Sequence, residues 1–327
     1  MWETRIQKIQ KFLWAAFLVS LPVTSFPFFP GNIGGRTEVR PLAIYPLVLL
    51  LIVLVLPRIF KKALPNTAIP IVVFMLVALM STILALGRGI DPDINITVVS
   101  RSIRMLATLA IGGAFYFTVA ILPESSDQLK FSLRWLFIGL GIALLWGSLQ
   151  VIYIIKFDPD YFAWMSKMQE YISFRRLFER RVSGMTYEPS WFAEQISFLY
   201  MPWLFAAVMS KTTAFRYRKD WLTIELILLV WSAVVLVFTY SRSGLVFMVV
   251  QLILAIFFRA RTKSHLSINW RVVLKKMVQG AFAFVAVGSI IFIASSRNQY
   301  FSRLWDYWVD EDSTGSYFQY IAFSQRF

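Results

Sequence analysis

The chain has no cysteine and a single histidine, His265. Disulfides, zinc–thiolate sites and cysteine nucleophiles are therefore excluded, and so is a histidine cluster for metal binding or proton relay. Charge is scarce too. Only 16% of the 327 residues are charged, and the 18 acids are outnumbered by 33 lysines and arginines, for a net charge of +15. Soluble domains carry about 25% charged residues. No soluble domain, internal repeat or low-complexity tract stands out.

What is present is apolar: 58% hydrophobic and 17% aromatic, with 30 Phe and 12 Trp. Mean hydropathy is +0.63. Abundant rings suit headgroup interfaces. Apolar runs follow one another at about 12–29, 41–56, 67–86, 103–122, 131–155, 190–209, 221–238, 245–258 and 277–295. A helix needs about 20 such residues to cross a bilayer. The pattern predicts an all-α, polytopic transmembrane helical bundle of about nine spans. The first run follows Arg5, Lys8 and Lys11, has no A-x-A-like cleavage site and precedes further spans. It reads as an uncleaved span and not a signal peptide.

Lysine and arginine placement sets the expected orientation. The linkers 211–219 and 259–276 are strongly basic between apolar flanks, which places them and the N-terminus in the cytoplasm. Positive charge in such a chain speaks first to topology, not to nucleic acid. The chain then reads as one transmembrane domain, 1–327. A loop at 156–189, residue Arg242 and a segment at 296–327 share the outer face. The last looks like the start of a second, incomplete outer loop.

Two outer stretches carry candidate chemistry. Phe238-Thr239-Tyr240-Ser241-Arg242-Ser243-Gly244 lies between the seventh and eighth runs, with almost no room for a loop. Arg242 is thus expected at the membrane boundary, where a charge is costly and implies an anionic partner. Gly244 would let the backbone turn sharply, and the flanking serines can bond locally at a helix start. A phosphate-bearing headgroup suits this arginine; snorkelling to the interface is the other reading. In 156–189, Phe174–Val182 places apolar residues at i, i+3, i+4 and i+8, with Arg175, Arg176, Arg180 and Arg181 between them. That spacing predicts an amphipathic interfacial helix. Attraction to anionic membrane lipid alone would also explain it.

The order of two motifs is familiar. Arg181-Val182-Ser183-Gly184-Met185-Thr186-Tyr187-Glu188-Pro189-Ser190-Trp191-Phe192-Ala193 feeds an apolar run, and Thr239-Tyr240-Ser241-Arg242-Ser243-Gly244 follows about fifty residues later. Together they resemble the O-antigen ligase/polymerase superfamily of bacterial inner-membrane glycosyltransferases. The resemblance covers roughly 175–260. It implies a multi-pass inner-membrane protein that takes a glycan from undecaprenyl pyrophosphate on the periplasmic face. The acceptor would be another glycan or the lipid A core, and the reaction would need no metal or other cofactor. It also implies that Arg242, and more loosely Arg181, hold the pyrophosphate; Arg180 and Arg176 of the same run are further candidates. Polymerase and ligase are not separated, and a flippase for lipid-linked glycan is the alternative.

Such a transfer builds negative charge on the leaving oxygen, which arginine forks stabilise. It also needs a base for the acceptor hydroxyl. Glu188, and less so Glu194, are the outer-face candidates. Glu188 precedes Pro189, so it also reads as an ordinary helix-start carboxylate favoured by the dipole. Family ligases carry a histidine in a large outer loop that is not reached by Phe327. His265 is expected on the cytoplasmic side, as a solvated loop residue. Arg88, Arg101 and Arg104 are possible helpers. Asp91-Pro92-Asp93 and Asp158-Pro159-Asp160 read as turns first and cation sites second. Trp305, Tyr307 and Trp308 suit either sugar stacking or an interfacial belt.

Overall fold

The computed structural model describes residues 2–28, 39–61, 68–87, 98–121, 125–215, 218–219 and 222–263. The chain divides into two units, 1–251 and 252–327. Of the second, only 252–263 are described, and they continue the last helix.

The described residues are mostly helical. Helix α1 is Trp2–Ser20. Helix α2 joins Ile44–Leu50, a π-turn at Leu51–Val55, and Leu56–Lys61. Then come α3 (Ile69–Gly87), α4 (Val98–Ile121), α5 (Ser126–Ile155) and the short α6 (Pro159–Gln169). Helix α7, Pro189–Ser210, contains a π-helical stretch at Gln195–Tyr200. Two-residue strands β1 (Arg218–Lys219) and β2 (Leu222–Thr223) pair antiparallel. Helices α8 (Ile224–Phe238) and α9 (Arg242–Lys263) follow.

Among the described residues, three helical stretches are long and apolar enough to cross a membrane: Ser102–Ile121, Ser126–Ile155 and Pro189–Ser210. Ile44–Arg58, Ile69–Ala85, Ile224–Phe238 and Arg242–Phe258 are apolar but shorter. Helix α3 exposes Val73, Phe74, Leu76, Val77 and Met80, a surface suited to lipid rather than water. The apolar run 277–295 and the segment 296–327 lie outside the described residues.

Caps explain several boundaries. Ser125 accepts from the Gln128 amide at 3.3 Å, which starts α5 ahead of the apolar run. Asp158 accepts from the amides of Asp160 and Tyr161, with Pro159 in the first turn of α6. This aspartate, expected in a loop turn, instead caps a helix. Thr223 caps Leu226 and starts α8. Lys211 ends α7 in the left-handed region, at φ 54°.

Helix α1 packs on α2 and α5, and α8 packs on α5 and α7. Phe17, Leu140, Leu144, Phe192, Ile196 and Leu236 are buried among them. Among the described residues, three indole N–H groups bond across helices: Trp14 to the Ser132 hydroxyl, Trp231 to the Ser148 hydroxyl and Trp146 to the Gln169 side-chain carbonyl, each at 2.8 Å. Such interhelical bonds hold helices whose outer faces gain nothing from water.

The helix predicted over Phe174–Val182 does not form; the loop's helix is α6, and 174–182 is irregular. Its backbone groups are committed elsewhere. The Phe174 amide donates to the Ser25 carbonyl (3.0 Å), the Tyr153 hydroxyl to the Phe178 carbonyl (3.0 Å), and the Val182 amide to the Phe238 carbonyl (2.9 Å). Leu177 is buried with Tyr153 and Met165. Tertiary partners thus override helical spacing, a weak preference over so few residues.

Candidate functional site

The two motifs that carry the resemblance meet in space. The Val182 amide donates to the Phe238 carbonyl at 2.9 Å. The Arg181 Nε donates to the Thr239 carbonyl, also at 2.9 Å. A third contact joins the helices that follow. A Cβ placed on Gly244 would lie 2.7 Å from the Ala193 Cβ, and the Ser197 hydroxyl bonds the Gly244 carbonyl at 3.3 Å.

This changes the reading of Gly244. It is not the turn residue: it lies inside α9, and its missing side chain lets α9 approach α7. The turn is made by Tyr240, at φ 50°, a backbone conformation uncommon for any residue but glycine. Strained positions of this kind cluster at functional sites. Burial also pushes the Tyr240 phenol above its ordinary pKa. Ser241 caps α9: its carbonyl accepts from the Leu245 amide at 3.2 Å, and its hydroxyl lies 3.1 Å from that of Ser243.

Arg242 is therefore the first residue of α9, and it is exposed. A cation there opposes the helix dipole, whose positive end favours anions by about 0.3–1 kcal/mol. Helix stability gives no reason for an arginine at this position. An anion would be attracted by guanidinium and helix end together.

The first motif is held from beneath by Gln150, a buried residue near the end of α5. Its Nε2 donates to the Gly184 carbonyl, and its Oε1 accepts from the amides of Ser183 and Gly184, all at 3.0 Å. Gly184 sits at φ +57°, and a Cβ there would lie 2.8 Å from the Phe192 ring. Here glycine is required twice, for conformation and for space. The loop is tied to the segment that follows α1 as well: the Tyr187 amide donates to the Thr24 hydroxyl at 3.1 Å. The Gln195 side chain donates to the Leu21 carbonyl at 3.0 Å.

Glu188 occupies the cap position of α7, but its carboxylate makes no capping bond. It pairs instead with Arg175 at 2.8 Å and accepts from the Ser190 hydroxyl at 3.3 Å. The Arg175 guanidinium also lies over two rings, those of Phe178 (4.7 Å) and Tyr187 (4.5 Å). Arg176, Arg180 and Glu194 are exposed, and Arg181 is half-buried. Arg104 is exposed on α4; the side chains of Arg88, Arg101 and His265 lie outside the described residues. So do Asp91, Asp93, Trp305, Tyr307 and Trp308.

Sequence reasoning assigned no role to Gln150 or Arg40, and it placed Arg175 only among the headgroup arginines of the expected amphipathic helix. Gln150 had a signal, being a lone amide late in an apolar run. Arg175 was concealed by the helical spacing around it. Arg40, 4.8 Å above the Phe174 ring, had none. No cluster of three or more acids and histidines suited to a metal occurs among the described residues. Set against known protein families, curated proteins and solved structures, the chain matches none of them.

Proposed function

We propose that the chain is a bacterial inner-membrane transferase of about nine spans, N-terminus in the cytoplasm. It moves a glycan from undecaprenyl pyrophosphate to a glycan or lipid A-core acceptor on the periplasmic face, as a polymerase or ligase. The observation that carries the reading is the joining of Arg181-Val182 to Phe238-Thr239 by two hydrogen bonds. It brings together two motifs far apart in sequence, each bearing an arginine of the resemblance.

In this reading Arg242 and the start of α9 hold the pyrophosphate, with Arg181 beside the same turn and Arg180 and Arg176 on the approach. The acceptor oxygen attacks the anomeric carbon. The bond from that carbon to the phosphate oxygen breaks, and its electron pair leaves with undecaprenyl pyrophosphate. Fixed guanidinium donors stabilise that charge without reorganising. The acceptor's proton passes to the Glu188 carboxylate.

The test is complementation with the full open reading frame in its source strain lacking the gene. Wild type, Arg242→Ala and Arg242→Lys are compared at equal membrane abundance, and surface glycan length and attachment are read on a gel. Wild type restores glycan and Arg242→Ala fails. Failure of Arg242→Lys as well points to a two-pronged phosphate contact. Full restoration by Arg242→Ala sinks the assignment. Lipid-linked glycan stranded on the cytoplasmic side of the deletion strain replaces transfer with translocation.

A further inference from the structure

Beside the motif contact lies a ladder of rings. Phe174 and Tyr187 are 5.2 Å apart between centroids and inclined by 39°. Tyr187 and Trp191 are 5.4 Å apart and inclined by 38°. Phe174 is exposed, and Tyr187 and Trp191 are half-buried. The Arg175 guanidinium lies over the Tyr187 ring and pairs with Glu188, their side chains 33% and 38% exposed.

We propose that Tyr187, Trp191, Arg175 and Glu188 form a subsite for one neutral pyranose ring. It would hold the terminal sugar of the acceptor, an identification that rests on the transferase reading above. The chemistry selects the ligand class. A pyranose presents a C–H face and an edge of hydroxyls. The face packs on the Trp191 ring, since Arg175 covers one face of Tyr187. Each hydroxyl both donates and accepts, so it needs a donor and an acceptor side by side. Arg175 Nη1 and Glu188 Oε1, 2.8 Å apart, are such a pair. A guanidinium offers five N–H donors and a carboxylate about four lone-pair sites, and their mutual bond uses one of each.

Other occupants fit worse. A phosphate or an anionic headgroup needs donors alone and is opposed by Glu188. A cation needs acceptors alone and is opposed by Arg175. Lipid-facing belt rings need only an apolar body and a polar tip. The arginine stacked on Phe178 and Tyr187 instead fixes one ring face and one polar edge together. In the same arrangement a hydroxyl of the bound sugar lies against the carboxylate that takes the acceptor's proton.

The experiment is saturation-transfer NMR on the full chain in lipid nanodiscs. The probes are the methyl glycosides of glucose, N-acetylglucosamine, mannose and rhamnose, with methyl glucuronide as the anionic comparison. Wild type transfers saturation to the ring protons of at least one neutral probe and favours it over the glucuronide. Apparent affinity falls roughly three- to tenfold in Trp191→Ala and in Glu188→Gln, as expected for one aromatic contact or one hydrogen bond. Trp191→Phe keeps part of the binding. Thermal unfolding of each variant is recorded. If Trp191→Ala is not folded, Glu188→Gln and Trp191→Phe decide.

No transfer from any neutral probe overturns the subsite. So do variants that bind like wild type, or a preference for the glucuronide. The probes carry no pyrophosphate, so binding is read apart from transfer. Sugar binding lost in these variants, together with lipid-linked glycan stranded on the cytoplasmic side of the deletion strain, leaves the subsite standing and removes the transferase reading.

Discussion

Replacing Gln150 by methionine tests how the first motif is held. Methionine keeps the length of the side chain but neither donates nor accepts usefully. Three hydrogen bonds disappear, to Ser183 N, Gly184 N and Gly184 O. All three partners belong to buried residues. A buried polar group left unsatisfied costs about 1–3 kcal/mol. At the low end the three together cost about 3 kcal/mol, or about 100-fold in the opening equilibrium. The high end is not reached. The loop would lift first and let water in, at the expense of the bonds Arg181–Thr239, Val182–Phe238 and Tyr187–Thr24. The assay is amide hydrogen exchange on the full chain in nanodiscs. Exchange at Ser183 and Gly184 should accelerate by about 100-fold, while the middle of α5, around Leu140 and Leu144, keeps its protection. Unchanged exchange at the two amides would refute the claim that Gln150 anchors the loop. Equal loss of protection along α5 would show that Gln150 holds the helix group instead.

Three more substitutions follow from the geometry. Gly184→Ala lowers the thermal midpoint, because its Cβ meets the Phe192 ring at 2.8 Å; adding Phe192→Leu recovers only part, since left-handed strain of about 1–2 kcal/mol remains. Gly244→Ala also lowers it, although the same change in an open helix is favourable by about 0.5–1 kcal/mol. Ala193→Gly in the same chain recovers part of the loss, because it removes the Ala193 Cβ at 2.7 Å and leaves the Leu236 Cδ1 at 3.0 Å. Glu225 is buried and accepts from the Ala214 amide at 2.7 Å and the Thr213 hydroxyl at 2.9 Å. Glu225→Ala orphans that amide at about 1–3 kcal/mol, and it should hasten tryptic cleavage after Lys211 in proteoliposomes.

The helices were legible because apolar runs are long and their interruptions are charged. Their ends were less so, because hydropathy does not see caps. Ser125 begins α5 ahead of Phe131, among polar residues. Thr223 begins α8 after Trp221, because β2 takes the start of that run. Helix α1 begins at Trp2, through Arg5, Lys8 and Lys11, and ends at Ser20, well short of Phe29. The irregular course of 174–182 was not legible at all. It depends on Ser25, Tyr153 and Phe238, which are remote in sequence. Nothing in a nine-residue window reports them. The partners of Arg175 were hidden for the same reason: its rings and carboxylate fall into place only once the helix is given up.

The two glycines show what that loss of locality means for the site. Both stand in sequence contexts that suggest turns, and only Gly184 has the positive φ of one. Gly244 is a packing residue, pressed on Ala193 with its carbonyl bonded to Ser197. The start of α9 is thereby fixed to the early turns of α7. Glu188 immediately precedes α7, and Arg242 opens α9. The base and the anion-holding arginine of the proposed transfer therefore stand on two joined helix starts rather than on independent loops. Small substitutions at Gly244 should accordingly act on both, shifting Arg242 relative to Glu188 without touching either side chain. Positioning of this kind governs catalysis steeply, since a misplacement of about 1 Å can cost about 100-fold in rate. Gly244→Ala should then lose glycan synthesis at membrane abundance equal to wild type, and Ala193→Gly should return part of it. Loss of synthesis that the second change does not return would place the role of Gly244 outside this helix contact.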